Sequence, residues 1–167
     1  IYTIAFNGTD AGGNSATEVS VTGITYDTTA PAFSSLSPSS SSTVNTTAVG
    51  YTLSKAIASG TVTYTRTSGT TDSSSPHTVT LAGTELNSGT RASAVLTNAP
   101  TLVSGSIYTI AFNGTDAGGN NATEVSVTGV TYDTTALGFS SLSPSTGSTV
   151  NTTAVGYTLS EALVSGT

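Results

Sequence analysis

Along most of this chain apolar and polar residues alternate with a period of two. Val49, Tyr51 and Leu53 alternate with Gly50 and Thr52, Val62 and Tyr64 with Thr61, Thr63 and Thr65, and Tyr108, Ile110 and Phe112 with Thr109 and Ala111. Successive side chains of a strand point to opposite faces, so each run predicts a strand with one face buried. Taking the segments between the Ser-, Gly-, Asn- and Pro-rich stretches, the pattern predicts strands at 33–36, 48–53, 61–66, 78–81, 92–96, 107–113 and 124–132. Gly129 moves the alternation of the last one from Val125 and Val127 to Val130 and Tyr132, which predicts a bulge. The best helical stretch, SKAIAS at 54–59, is too short, and it reads SEALVS in a second copy.

That second copy sets the organisation. Residues 1–61 return as residues 107–167 with nine mismatches, at positions 15, 24, 31, 32, 40, 41, 55, 57 and 58, and Ile107 minus Ile1 gives a period of 106. Solenoid and propeller repeats have periods of ~20 to 50 residues, because each unit is one supersecondary element. A period this long is a whole domain. The tetrapeptide DTTA at Asp27 to Ala30 and Asp133 to Ala136 marks the seams. The reading is therefore all-β: tandem immunoglobulin-like Greek-key sandwiches with about seven strands in each repeat. Residues 30–135 form one complete repeat, 1–29 the last two strands of a preceding one, and 136–167 the first two of a following one. With no initiating methionine, the sequence reads as an excerpt.

Composition removes several function classes. Charged residues make up 7% of the chain, and the three basic ones, Lys55, Arg66 and Arg91, cannot neutralise a run of phosphates, so nucleic acid is a poor partner. Cysteine is absent, which leaves burial, the β ladder or a bound ion to supply stability. No apolar run reaches the ~20 residues of a membrane helix. His77 is the single histidine, so no histidine-based catalytic triad can be assembled within a unit, and in its Ser-rich loop it reads as a surface residue. No enzymatic activity is expected.

At TDAGGN, followed by an alternating strand and then YDTTAP, the sequence resembles the bacterial immunoglobulin-like repeats of large surface adhesins. The resemblance covers every residue and implies a non-catalytic stalk on a bacterial cell surface, with many such repeats binding calcium at the junction. In a Greek-key sandwich the turn before the last strand lies at the end where the chain enters, so Asp27 in the linker and Asp116 in the turn should be neighbours. With Asn120 they form the candidate calcium site, calcium requiring six to eight oxygens. Asp10, Asn14, Asp133 and Glu161 are the equivalent partial sites. Position 55 departs from the pattern, being lysine where the next copy has Glu161, and an ammonium there would repel a divalent ion or replace it by pairing with Asp27 or Asp116.

Alternatives remain beside the stalk. One is a self-assembling extracellular filament in which other chains complete the terminal half-domains through their open sheet edges. Another is a carbohydrate-binding module, which would need an exposed aromatic platform. The expected partners are thus neighbouring repeats of the same chain and, in the filament, further copies. The T-x-T ladder Thr61, Thr63, Thr65 and Thr67 raises ice or carbohydrate binding, but it stands clearly on one strand, and threonine's β propensity accounts for it. Tyr108 reads as a corner tyrosine or as plain core, Arg66 and Arg91 as stems covering apolar surface. Lys55 is a candidate for an isopeptide cross-link, which its Glu161 counterpart argues against as a mechanism common to all repeats.

Overall fold

The computed structural model describes residues 1–165. Its centre is a complete β-sandwich. Strands β3 (Phe33–Ser37), β5 (Val49–Leu53) and β8 (Gly89–Ala94) form one sheet; β4 (Thr43–Val44), β10 (Val125–Tyr132), β9 (Ser106–Thr115), β6 (Ser59–Gly69) and β7 (His77–Thr80) form the other, in that order. Every pairing in the sandwich is antiparallel except β4 with β10. Before it stand β1 (Tyr2–Phe6) and β2 (Val19–Ile24), paired antiparallel, and after it β11 (Phe139–Ser143) and β12 (Gly156–Leu159), likewise paired. The fold is all-β and sandwich-like, as the alternation predicts.

Three local differences from the sequence reading have physical causes. Strand β4 is two residues long, too short to show a period, and it exists because it adds to the edge of β10. The third strand of the smaller sheet begins at Gly89 instead of Ala92, because register opposite β5 sets its start. A single turn of 3-10 helix, Gly83–Leu86, follows β7, capped by Glu85 through the Ala82 amide.

Between the sheets lies one apolar layer. Phe33, Tyr51 and Phe112 meet with ring centroids 5.5 to 6.0 Å apart, and Val49, Leu53, Val62, Tyr64, Tyr108, Ile110, Val127 and Val130 fill the space around them. The bulge lies between Val127 and Val130, with Gly129 at φ +70°, a left-handed conformation that an L side chain adopts only under strain. It resets the pleat so that both valines face inward. The paired copy β1–β2 repeats the device with Gly23 at φ +75°. At the turn between β3 and β4 the copies diverge: Ser41 holds φ +62° where the next copy has Gly147 at +79°.

Sequence identity does not confer burial. Phe112 is 0% exposed while its copy Phe6 is 61% exposed, because among the described residues no second sheet packs against the strand pair that holds Phe6. Phe112→Ala should therefore cost about 3–5 kcal/mol in urea unfolding, and Phe6→Ala less than about 0.5 kcal/mol. Gly129→Ala should cost about 1–3 kcal/mol, the strain of a left-handed non-glycine residue, read from the same denaturation midpoint.

Candidate functional site at the linker corner

Three elements meet where the chain enters the sandwich. They are the linker at Asp27, the loop after β5 at Lys55, and the turn between β9 and β10 at Asp116 to Asn120. The turn is built locally. Asp116 Oδ1 accepts from the amides of Gly118 and Asn120, both at 2.9 Å, the Asp116 amide donates to Asn120 O at 3.1 Å, and Gly119 takes φ +85°. The copy in the β1–β2 pair folds the same way, with Asp10 Oδ1 accepting from Gly12 at 2.9 Å and Asn14 at 2.8 Å. The same residues make the same contacts in both copies, so the turn's hydrogen bonds are built within the hexapeptide TDAGGN.

The fold brings Asp27, Asp116 and Asn120 together and places Lys55 among them. The Lys55 ammonium donates to Asp27 Oδ2, to Asp116 Oδ2 at 2.7 Å and to Thr29 O at 2.9 Å, which uses all three of its protons. Asn120 Nδ2 donates to Asp27 O at 3.1 Å and to both oxygens of Asp116. A flipped amide would set its oxygen against that carbonyl and carboxylate, so the network fixes its orientation. The Asp116 carboxylate is 2% exposed; Lys55 and Asp27 are partly open to water.

Charge follows from these contacts. The Lys55 ammonium holds the Asp116 carboxyl far below its ordinary 3.8, against the opposing effect of burial and with help from Asn120. Asp27 is lowered as well, by Lys55 first and the Thr29 amide second. Lys55 itself is raised by the two carboxylates. Calcium coordinates oxygens only, whereas here nitrogen donors from Lys55 and Asn120 already engage the carboxylates and the Asp27 carbonyl. The residues as arranged do not fit a calcium ion. Among the described residues no group of three or more His, Cys, Asp or Glu side chains is placed to hold a metal.

The other candidate residues lie elsewhere. Asp133 accepts from Ser104 Oγ at 3.3 Å and from the Thr135 amide at 2.9 Å, at the opposite end of the sandwich. Glu161 lines a shallow cleft with Asp133 and residues 43–46.

His77 is not a free surface residue. Pairing of β7 with β6 sets it opposite Tyr64, and its Nε2 lies 2.6 Å from Asp72 Oδ2, which also accepts from Tyr108 OH at 2.7 Å. Asp72, unmarked in its Ser-rich segment, accepts from the Ser74 amide through Oδ1, is buried, and is held below its ordinary value by His77 and Tyr108. Glu85 is buried too; burial pushes its carboxyl up, and the Ala82 and Thr97 amides with the Thr97 hydroxyl outweigh that and bring it down. The threonine ladder is wider than the sequence shows, since Thr61 faces Thr80, Thr63 faces Thr78 and Thr65 faces Thr109. Ala111 and Asn113 interrupt it on β9. Arg66 donates to the carbonyls of Gly69 and Thr70, and Arg91 to those of Thr84, Thr90 and Asn87, so both cap loops.

Both aspartates of the corner are lowered on folding, so the stability they contribute is present above their ordinary value and lost as pH falls through the folded one; Lys55, raised, contributes fully at neutral pH and loses that contribution in alkali. The urea midpoint should hold between about pH 5 and 9 and fall on both sides, and Lys55→Met should make both falls shallower.

Residues 27–132, running from the linker aspartate of the corner to the last residue of β10, match the bacterial Ig-like domain family. No curated protein matches the chain. With the sandwich, the bulged last strand and the corner all inside the matched span, the chain belongs to the bacterial Ig-like domain family.

Proposed function

We propose that this chain is a non-catalytic spacer segment of an extracellular bacterial array, with sandwiches joined in series at the DTTA seams. That it is a structural domain of the kind carried by bacterial surface proteins follows from the family. One observation supports the serial arrangement above the others. The linker meets the sandwich at the turn after β9, where Asn120 holds the Asp27 carbonyl, and the chain leaves beside the loop before β9, where Ser104 holds Asp133. These points lie at opposite ends of a ten-residue strand, so added units extend the length instead of folding back. The proposed divisions are 1–29, 30–135 and 136–167.

Two further observations bear on this reading. In the complete sandwich Phe33, Tyr51, Tyr64, Tyr108 and Phe112 are all buried, which removes the platform a carbohydrate-binding module would need from those five rings. Among the described residues no helix is long and apolar enough to cross a membrane. A self-assembling filament is the second reading. In it other chains would pair with the flanking strands, where Tyr2, Ile4 and Phe6 of one pair and Phe139, Leu142 and Tyr157 of the other are exposed among the described residues. At the far seam, calcium held by Asp133 and Glu161 remains part of the spacer proposal, as it does for Asp10 and Asn14 once a linker faces them.

Small-angle scattering of recombinant arrays of two, three and four periods tests the spacer. The maximum dimension should grow by roughly 35 to 45 Å per period, the length of a strand of eight to ten residues with its loops. A dimension that fails to grow with period number would overturn serial joining; particle mass that rises with concentration would favour the filament.

A further inference from the structure

We propose that Lys55 is an internal counter-ion that closes the corner in place of a metal, so that residue 55 decides whether this corner depends on an external cation. Two carboxylate oxygens that share one donor nitrogen lie within about 6 Å of each other. One of them, on Asp116, is withdrawn from water almost completely. Two negative charges in that position need a positive one between them. Lys55 Nζ supplies it with hydrogen bonds to both carboxylates and a third to Thr29 O, tying the linker to the turn and to the loop after β5. The lysine thus does what a coordinated cation would do, which is to join three segments through their oxygens.

The chain carries its own contrast. At the position equivalent to Lys55 it has Glu161, which lines a cleft with Asp133, the equivalent of Asp27. No lysine or arginine follows Arg91, so no basic side chain of residues 92–167 can take the role of Lys55 there. Placing glutamate at position 55 would turn two carboxylates and one ammonium into three carboxylates around the same point, with Thr29 O beside them. Such a corner can be closed only by a cation from solution. Reversal of charge at one residue therefore converts a self-contained corner into an ion-dependent one.

The inference concerns one corner and stands whether or not the array is a spacer, so the scattering experiment can fail without touching it. Its test uses the whole chain as wild type, Lys55→Met and Lys55→Glu, melted in excess EDTA and in ~5 mM calcium chloride, above the ~0.1 to 1 mM that extracellular calcium modules require. Lys55→Met should melt lower than wild type by the same margin in both conditions. Lys55→Glu should melt lowest in EDTA and recover in calcium. The far corner is the same in all three proteins, so its own response to calcium cancels in the comparison. Amide shifts of Gly118 and Asn120 provide a second readout, which should hold through a calcium titration of wild type and move in that of Lys55→Glu. Movement of those two amides in the wild type, an unresponsive Lys55→Glu, or a Lys55→Met as stable as wild type would each overturn the proposal.

Discussion

Two sheets share a single apolar layer, and every polar atom carried into that layer has to find a partner inside it. Cysteine and tryptophan are absent, so no disulfide ties the sheets and tyrosine has to supply much of the bulk. Each buried tyrosine brings a hydroxyl to the rim of the core. Tyr51 OH donates to Glu85 O at 2.8 Å, Tyr64 OH to Thr47 O at 2.9 Å, and Tyr108 OH accepts from the Val103 amide at 3.1 Å while donating to Asp72. The requirement to satisfy these groups thereby pins four loops to the core, those holding Thr47, Asp72, Glu85 and Val103. Among the described residues no buried side-chain nitrogen or oxygen lacks a partner. Burial also pushes the Tyr51 hydroxyl up to about 12, so it stays protonated and able to donate.

The same rule governs the few charges. Three of the nine acidic residues, Asp72, Glu85 and Asp116, are buried, an uncommon place for carboxylates unless they are paired. Each has become a junction: Asp72 joins β9 to β7 through Tyr108 and His77, Glu85 joins its 3-10 turn to Thr97, and Asp116 joins the last turn to the linker through Lys55. In a chain with only 7% charged residues, ions are concentrated where segments distant in sequence must be held together. The corner is one case of this wider use of charge.

Much of this was legible from sequence because it rests on local periodicity. The period-two runs place β5, β6, β9 and β10, and the break at Gly129 marks the bulge, since a pleat reset by one residue leaves its trace in the pattern. The hexapeptide turn was legible too, since its hydrogen bonds close within six residues and recur at Asp10. Neighbourhood of Asp27 and Asp116 followed from Greek-key topology. What sequence could not show was the choice made by Lys55 between repelling a metal and replacing it, because that depends on where a flexible four-carbon stem ends. His77 and Asp72 were missed for a related reason: five residues apart in a Ser-rich segment, they become partners only when β7 pairs with β6 and Tyr108 reaches between the sheets.

The repeated sequence makes the division between the two levels visible within one molecule. Tyr2 and Tyr108 share the same flanking residues, the same pairing partner in kind and the same bulge nearby, yet one is 60% exposed and the other 1%. Phe139 and Tyr157 keep the edge-on contact of Phe33 and Tyr51, at the same 5.5 Å, without the core that closes over the latter pair. The sequence by itself determined strand, bulge, turn and the cross-strand aromatic contact, because these arise between residues adjacent along the chain or across one ladder. Only the tertiary structure decided which of those identical strands carry a core and which carboxylates meet an ammonium, since burial and ion pairing require a second sheet or a distant loop to arrive from elsewhere in the chain.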